Sequence, residues 1–208
     1  MKQALLFGCG SKNGIPIIDS CLDTNYHVTN IGSSAYNKKD VTNIQIKWQS
    51  LDTPFLHKTL KFNHKIDFVF FNQNASSLNM QDFKKNRYDT LSLWKQIKDW
   101  TNSYWLSCQL PFITIHTIQK NLTHDSKIGW MLSNYINFKQ KDVENYPDYS
   151  SNKYTNYLVM KNFGQQFKAK TFGINPQFTT NNSSQKLYQL ITDILNNKQN
   201  INGQMFEM

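Results

Sequence analysis

The chain has 208 residues, a net charge of +9 at pH 7 and three cysteines. That length suits one domain with a substantial core. The scattered Cys9, Cys21 and Cys108 exclude a disulfide framework and show no metal-ligand spacing, and no apolar run is long enough to cross a bilayer. The charge is a poor argument for nucleic-acid binding, because Arg87 is the only arginine among 23 basic residues and phosphate recognition favours the guanidinium fork. The lysines are dispersed, in short runs such as Lys38-Lys39, Lys84-Lys85 and Lys139-Gln140-Lys141. The expectation is no metal, no nucleic acid, no membrane and, by default, a cytoplasmic location, since Met1–Phe7 is too short for a signal segment.

In chain order, residues 4–8 read as a buried strand running into a glycine turn, and a first helix follows from Gly14 to about Cys21. Residues 26–31 predict a second strand ending at Gly32, 44–48 a short third and 66–71 a deeply buried fourth. Over residues 89–108, Leu91, Trp94, Ile97, Trp100, Tyr104 and Cys108 recur at helical spacing. A fifth strand over 127–132 ends at Ser133; the polar stretch 134–151, with Pro147, reads as a loop. A helix over 153–168, a sixth strand over 170–174, a loop from Pro176, a helix carrying Leu187, Leu190, Ile191 and Leu195, and a last edge strand in the tail complete the pattern. Strands alternating with helices predict an α/β chain: one Rossmann-like domain over 1–208, a doubly wound and mostly parallel sheet with helices on both faces.

Two segments carry chemistry. After the first strand, the turn through Gly10, Ser11, Asn13, Gly14 and Ile15 suits a nucleotide pyrophosphate, because glycine permits close backbone approach and a helix start favours anions. The same residues also read as a plain tight strand–helix connection. The end of the second strand, Ser33 and Ser34 followed by Tyr36, Lys38 and Lys39, has no carboxylate for a ribose 2′-hydroxyl. Small hydroxyls and nearby lysines tilt the reading to NADP, with NAD possible. Asn72, Gln73 and Asn74 follow the fourth strand at the edge where such sheets bind ligands, or form an ordinary Asn-rich turn. Far downstream, Tyr157 and Lys161 form a Tyr-x-x-x-Lys pair on one helix face.

In this order the motifs resemble the short-chain dehydrogenase/reductase family over nearly the whole chain. The family's Thr-Gly-x-x-x-Gly-Ile-Gly is matched by Cys9 through Pro16, with Cys9 for Thr and Pro16 for the third Gly. Its Asn-Asn-Ala-Gly is degraded to Phe71-Asn72-Gln73-Asn74, and the closing Ile201-Asn202-Gly203-Gln204 is similar to its final strand. The resemblance implies Ser133 as the serine after the fifth strand, Asn102 as the nearest residue to the structural asparagine, Pro176 after the sixth strand, and Thr179 as a cofactor contact.

What the family implies is hydride transfer between NADP(H) and a small carbonyl or alcohol. Tyr157 would move the proton, and Lys161 would lower its pKa and hold the nicotinamide ribose. Ser133 would polarise the substrate oxygen, and Asn102 would link a water to Lys161. In bland terms Tyr157 packs a helix and Lys161 snorkels from it. Two alternatives stay open: a catalytically inactive dinucleotide-binding or scaffold relative, and an enoyl-thioester reductase using Tyr154 and Lys161. The resemblance also implies a homodimer or homotetramer through the long helices bearing Trp94, Trp100, Tyr104 and Phe163. The loop at 134–151, with Tyr135, Phe138, Tyr146 and Tyr149, is a candidate wall for the substrate.

Overall fold

The computed structural model describes residues 1–48, 52–73, 93–133, 147–167, 169–176 and 183–208. Seven strands form one sheet: β1 (Lys2–Phe7), β2 (Tyr26–Gly32), β3 (Val41–Gln45), β4 (Phe68–Phe71), β5 (Lys127–Met131), β6 (Lys170–Asn175) and β7 (Gln204–Glu207). Their order is β3-β2-β1-β4-β5-β6-β7 and every pairing is parallel. The direction of winding reverses between β1 and β4. In such sheets the crevice at the carboxyl ends of those two strands is where ligands bind.

The described helices are α1 (Ile15–Asp23), α2 (Thr53–Thr59), α3 (Leu93–Tyr104), α4 (Leu110–Ile118), α5 (Pro147–Gln166) and α6 (Ser183–Leu195). The side-chain alternation of the strands sorts them into two layers. Leu5 and Phe7, Val69 and Phe71, and Ile128 and Trp130 face α2, α4 and α5. Ala4 and Leu6, and Phe68 and Phe70, face α1 and α6, together with Phe172 and Ile174 of β6. Both faces of the inner strands are covered, so these strands are short runs of large apolar residues. Gly129 of β5 leaves the space that Phe70 and Phe172 fill; a Cβ there would stand 2.5 Å from atoms of both rings. The doubly wound α/β sheet expected from the sequence is therefore present.

Four elements depart from expectation. Strand β3 is Val41–Gln45 because Val41 pairs with Val28 and Gln45 with Gly32, which leaves Trp48 beyond the strand. Helix α2 was not anticipated, although its start is written in the sequence: Asp52 accepts from Phe55 N–H at 2.8 Å, with Pro54 in the first turn. Helix α5 starts at Pro147, six residues before the expected start. Proline is well suited to a first helical position, where its missing N–H is not needed.

The helix expected to end at Cys108 runs on to Ile118 through a π-helical turn, Trp105–Gln109. Pro111 explains that turn. In a regular helix its ring would crowd the carbonyl four residues back. Here Leu110 N–H instead bonds Trp105 O, five residues back. The next carbonyl, Leu106 O, would need the N–H of Pro111, which does not exist. Gln73 supplies the donor from the end of β4, with Nε2 at 3.0 Å from Leu106 O. Gln73→Leu is therefore expected to cost about 1–3 kcal/mol by orphaning a buried carbonyl. Pro111→Ala restores a backbone donor, so urea unfolding of the double variant should show less than the sum of the two single losses.

Candidate active site

The carboxyl ends of all seven strands lie along one edge of the sheet, and a cavity opens there. It is lined by Gly8, Gly10, Ser11 and Asn13 after β1, Ser33 and Ser34 after β2, and Trp48 beyond β3. Asn72 and Gln73 after β4, Met131 and Leu132 at the end of β5, and Lys153 of α5 continue the wall. Pro176, Ser183, Ser184, Leu187 and Met208 close it.

The glycine turn is held from both sides. Gly8 has φ +73°, donates its N–H to Ile31 O at 2.8 Å and accepts from Asn72 Nδ2 at 3.0 Å. A side chain at Gly10 would overlap the Ser34 carbonyl. Gly14 and Ile15 sit behind the lining residues, and their N–H groups both go to Ser11 O, at 2.8 and 3.0 Å. Pro16 has no N–H, and Ile17 and Ile18 donate back to Gly14 O at 3.0 and 3.4 Å. The first turn of α1 thus spends its donors internally, and the backbone that meets the cavity is that of Gly10, Ser11 and Asn13. Cys9, within this turn, is fully buried. Its Sγ lies 3.7 Å from Phe7 O, and burial pushes its thiol pKa up, away from reactivity.

At the end of β2, Ser33 and Ser34 line the cavity but the nearby charges are spent on each other. Lys38 Nζ lies 2.8 Å from Asp19, which also accepts from Tyr36 Oη at 3.0 Å. The hydrogen bonds to Asp19 and Tyr36 push the pKa of Lys38 up.

The polar end differs most from the sequence expectation. Lys153, not Lys161, stands in the cavity wall. Its Nζ donates to Met131 O at 3.0 Å, at the end of β5. Burial lowers its pKa to about 8, offset in part by the neighbouring Cys108. Lys153 is the one charged side chain among the described lining residues. Tyr157 and Lys161 are not brought to the cavity. Helix α5 runs antiparallel to the strands, and eight residues further on is about 12 Å further down its axis. Lys161 accordingly donates to Gly203 O, just before β7, at the opposite edge of the sheet. Tyr157 packs against the core, with Lys161 Nζ 5.6 Å from its ring centroid. Tyr154 stacks beside Tyr157 at 6.3 Å, so a Tyr154–Lys161 pairing also lies away from the cavity lining.

Ser133 is buried and follows Leu132 of the lining directly. Asn102 is half-buried on α3 and lines no part of the cavity. The buried polar contact between α3 and α5 is instead Asn152 Nδ2 to Ser103 Oγ, at 2.8 Å, one residue from Lys153. Thr179 lies outside the described residues, as do Tyr135, Phe138 and Tyr146. Sequence reasoning missed Lys153, Trp48, Ser183 and Ser184, and named Gln73 only as part of the Asn72-Gln73-Asn74 turn. For Lys153 the signal was present: Tyr149 precedes it by four residues, one of three Tyr-x-x-x-Lys spacings in the chain, with Tyr135–Lys139 and Tyr157–Lys161. Tyr149 and Lys153 both belong to α5, one turn apart.

A parallel, doubly wound sheet with a glycine turn at its switch point defines a Rossmann-type α/β architecture. More narrowly, the chain has the fold of the short-chain dehydrogenases/reductases. A short-chain dehydrogenase/reductase from Serratia marcescens superposes with a TM-score of 0.77 at 12% identity, over 100% of this chain and 95% of that one. An oxidoreductase of the same family from Brucella ovis, in complex with a partially ordered NAD, gives 0.74 at 10% identity, over 100% and 99%. A short-chain dehydrogenase family protein from Francisella tularensis gives 0.65 at 13%, over 100% and 97%. No family model matches the sequence, and no curated protein matches it. Among the described residues, no helix is long and apolar enough to cross a membrane, and no three His, Cys, Asp or Glu side chains group as a metal site.

Proposed function

We propose that this chain is an NADP(H)-dependent oxidoreductase that reduces a small carbonyl compound or oxidises the corresponding alcohol. The observation that carries the reading is the buried Lys153 in the wall of a cleft at the switch point, a cleft that the glycine turn also lines. The cleft fits a dinucleotide: without a side chain the Gly10 turn packs directly against the Ser34 carbonyl, so that bare backbone of the turn lines the cleft, and Gln73, also in the lining, keeps a buried Oε1 without a partner. Gly10, Ser11 and Asn13 would meet the pyrophosphate, Ser33 and Ser34 the adenosine ribose, and Asn72 and Pro176 the middle and far end. A bound nicotinamide supplies the hydride.

The protein's part is the proton. A cation at Lys153 holds a ribose hydroxyl and lowers the pKa of a neighbouring phenol. Tyr149, one helical turn before Lys153, is the tyrosine we assign to proton transfer on the Tyr-x-x-x-Lys spacing, in place of Tyr157. Ser133, next to the lining, is assigned to the substrate oxygen. The Asn152–Ser103 contact takes the positioning role expected of Asn102.

For NADP the support is negative: among the described residues that line the cavity, no side chain is a carboxylate that would repel a 2′-phosphate. Lys38 is held by Asp19, so Asp19→Asn should release it. The expected result is a rise in NADPH affinity relative to NADH of about three- to tenfold, lost as salt is raised.

Two copies would pair through α3, α4 and α5, as a homodimer or within a homotetramer. Ile97, Tyr104, Phe112 and Leu158 are the large apolar side chains exposed there. Phe163, one of the aromatic residues expected in that interface, is instead in the core, stacked 6.2 Å from Trp130.

One observation favours the non-catalytic reading: the first turn of α1 keeps few N–H groups for an anion. Titration of the purified protein with NADPH and NADH, followed by nicotinamide absorbance with a panel of small ketones and aldehydes, decides between them. Binding with turnover supports the oxidoreductase; binding without turnover supports the non-catalytic relative; no binding overturns both.

A further inference from the structure

We infer that Trp48 is the platform on which the base of the dinucleotide stacks, so that the base is held by its flat face and not by an edge-reading side chain. The inference rests on the dinucleotide reading above and adds to it the residue that grips the adenine half. The strand order gives the direction: with the pyrophosphate at the turn after β1, one half of the ligand lies toward β4 and β5, where Lys153 stands, and the other toward β2 and β3. On that second side the cavity is lined by Ser33, Ser34 and Trp48.

Trp48 is held in place by backbone contacts it does not itself make. Ile46 N–H bonds Gly32 O at 3.0 Å, which keeps the chain beyond β3 alongside the end of β2. Gly32 has no side chain, and the place of its missing Cβ is 3.8 Å from Trp48 Cζ2, ordinary contact distance. The indole packs against the core cluster on the side of β1 and β4 while also lining the cavity, and it is half-buried. A large indole left lining a cleft among glycine and serine, with no charged described residue on that side, has a flat apolar surface that only a flat partner covers well. A nucleobase is such a partner, and base–aromatic stacking is strong enough to matter for affinity.

The test measures dissociation constants of NADPH and of ADP-ribose, which keeps the adenine and the pyrophosphate but has no nicotinamide, for the wild type, Trp48→Phe and Trp48→Leu. Stacking predicts that Trp48→Leu weakens both ligands about tenfold or more, and that Trp48→Phe stays within about threefold of wild type. A structural role alone would not distinguish an aromatic from an aliphatic replacement. The inference is overturned if Leu and Phe behave alike, whether both bind as wild type or both fail. If the wild type binds neither NADPH nor NADH, the dinucleotide reading falls and this inference with it; if the wild type binds and Trp48→Leu is unaffected, only this inference falls.

Discussion

Lys153→Met is expected to reduce hydride transfer by about a hundredfold or more, while Lys161→Met leaves it within about twofold. Methionine keeps most of the volume and removes the charge, so the variant is expected to fold. The two lysines sit on one helix, both preceded by a tyrosine at four residues, and differ only in which edge of the sheet they reach. Lys153 meets Met131 O and the cavity, whereas Lys161 meets Gly203 O. Steady-state rates of both variants with one active carbonyl substrate would separate them. Equal losses, or a loss only in Lys161→Met, would refute the assignment.

The buried ammonium also ties catalysis and stability to pH in opposite directions. Lys153 has its pKa lowered by burial from 10.5 to about 8. At neutral pH it is mostly cationic, the form that can hold a ribose and acidify a phenol. Reductive activity should therefore fall as pH rises through about 8. For stability the sign is reversed. Below pH 8 both folded and unfolded chains carry the proton, and the folded state bears the full desolvation penalty. Between about pH 8 and 10.5 the folded chain has lost that proton while the unfolded chain keeps it, so stability rises with pH. The full difference corresponds to about 3 kcal/mol. Urea unfolding of the wild type and Lys153→Met at neutral pH and near pH 10 should show the variant missing that rise. An identical pH dependence in the two proteins would mean Lys153 titrates as an ordinary surface lysine.

Much of the fold was legible because the sheet buries both faces of its central strands. Runs such as Leu5-Leu6-Phe7 and Phe68-Val69-Phe70-Phe71 have no other place to go, and the helices between them follow from 3-and-4 spacing. The glycine turn was legible for the same local reason, since close approach at Gly10 and the positive φ at Gly8 leave marks in composition. The polar end was not, because its reading depended on a helix boundary. Pro147 signals a loop or a helix start equally well, and taking it as a loop placed the helix six residues late and selected the Tyr157–Lys161 spacing over the same spacing at Tyr149–Lys153. The short gap from Ser133 to Tyr149, against the longer one to Tyr157, was the remaining sequence signal. Trp48 was illegible for a different reason: it sits in no local motif and is placed by the pairing of β3 with β2. Gln73 lay in a segment read as ligand-facing, but its bond to a carbonyl that Pro111 orphans more than thirty residues away was not legible.

Gly10→Ala is expected to destabilise the protein by about 2–4 kcal/mol and to abolish dinucleotide binding. The conformation of Gly10 is not the difficulty, since its φ is not positive. The difficulty is a wall of backbone. A Cβ at Gly10 would overlap Ser34 O, lie 2.7 Å from Ser34 C and stand 3.0 Å from Asn30 Nδ2. Ser34 cannot easily retreat, because Asn30 Nδ2 binds its carbonyl at 3.1 Å and Asn43 Oδ1 at 3.0 Å. Asn43 in turn accepts from Tyr36 N–H at 3.0 Å and donates to Tyr36 O at 3.2 Å, so the whole β2–β3 connection is pinned. Either this network breaks, or the glycine turn moves into the space the pyrophosphate needs. Gly164→Ala is the control. Its Cβ would meet Thr171 Oγ1 at 2.5 Å, a clash with a buried, stiff β-branched side chain that helix propensity offsets only in part, but it touches no backbone of the glycine turn. Gly164→Ala should therefore cost about 1–3 kcal/mol and leave NADPH binding unchanged. Thermal unfolding and nucleotide titration of the two variants read both effects, and a Gly10→Ala protein that melts and binds like the wild type would mean the Asn30–Asn43 network yields where its hydrogen bonds say it should hold.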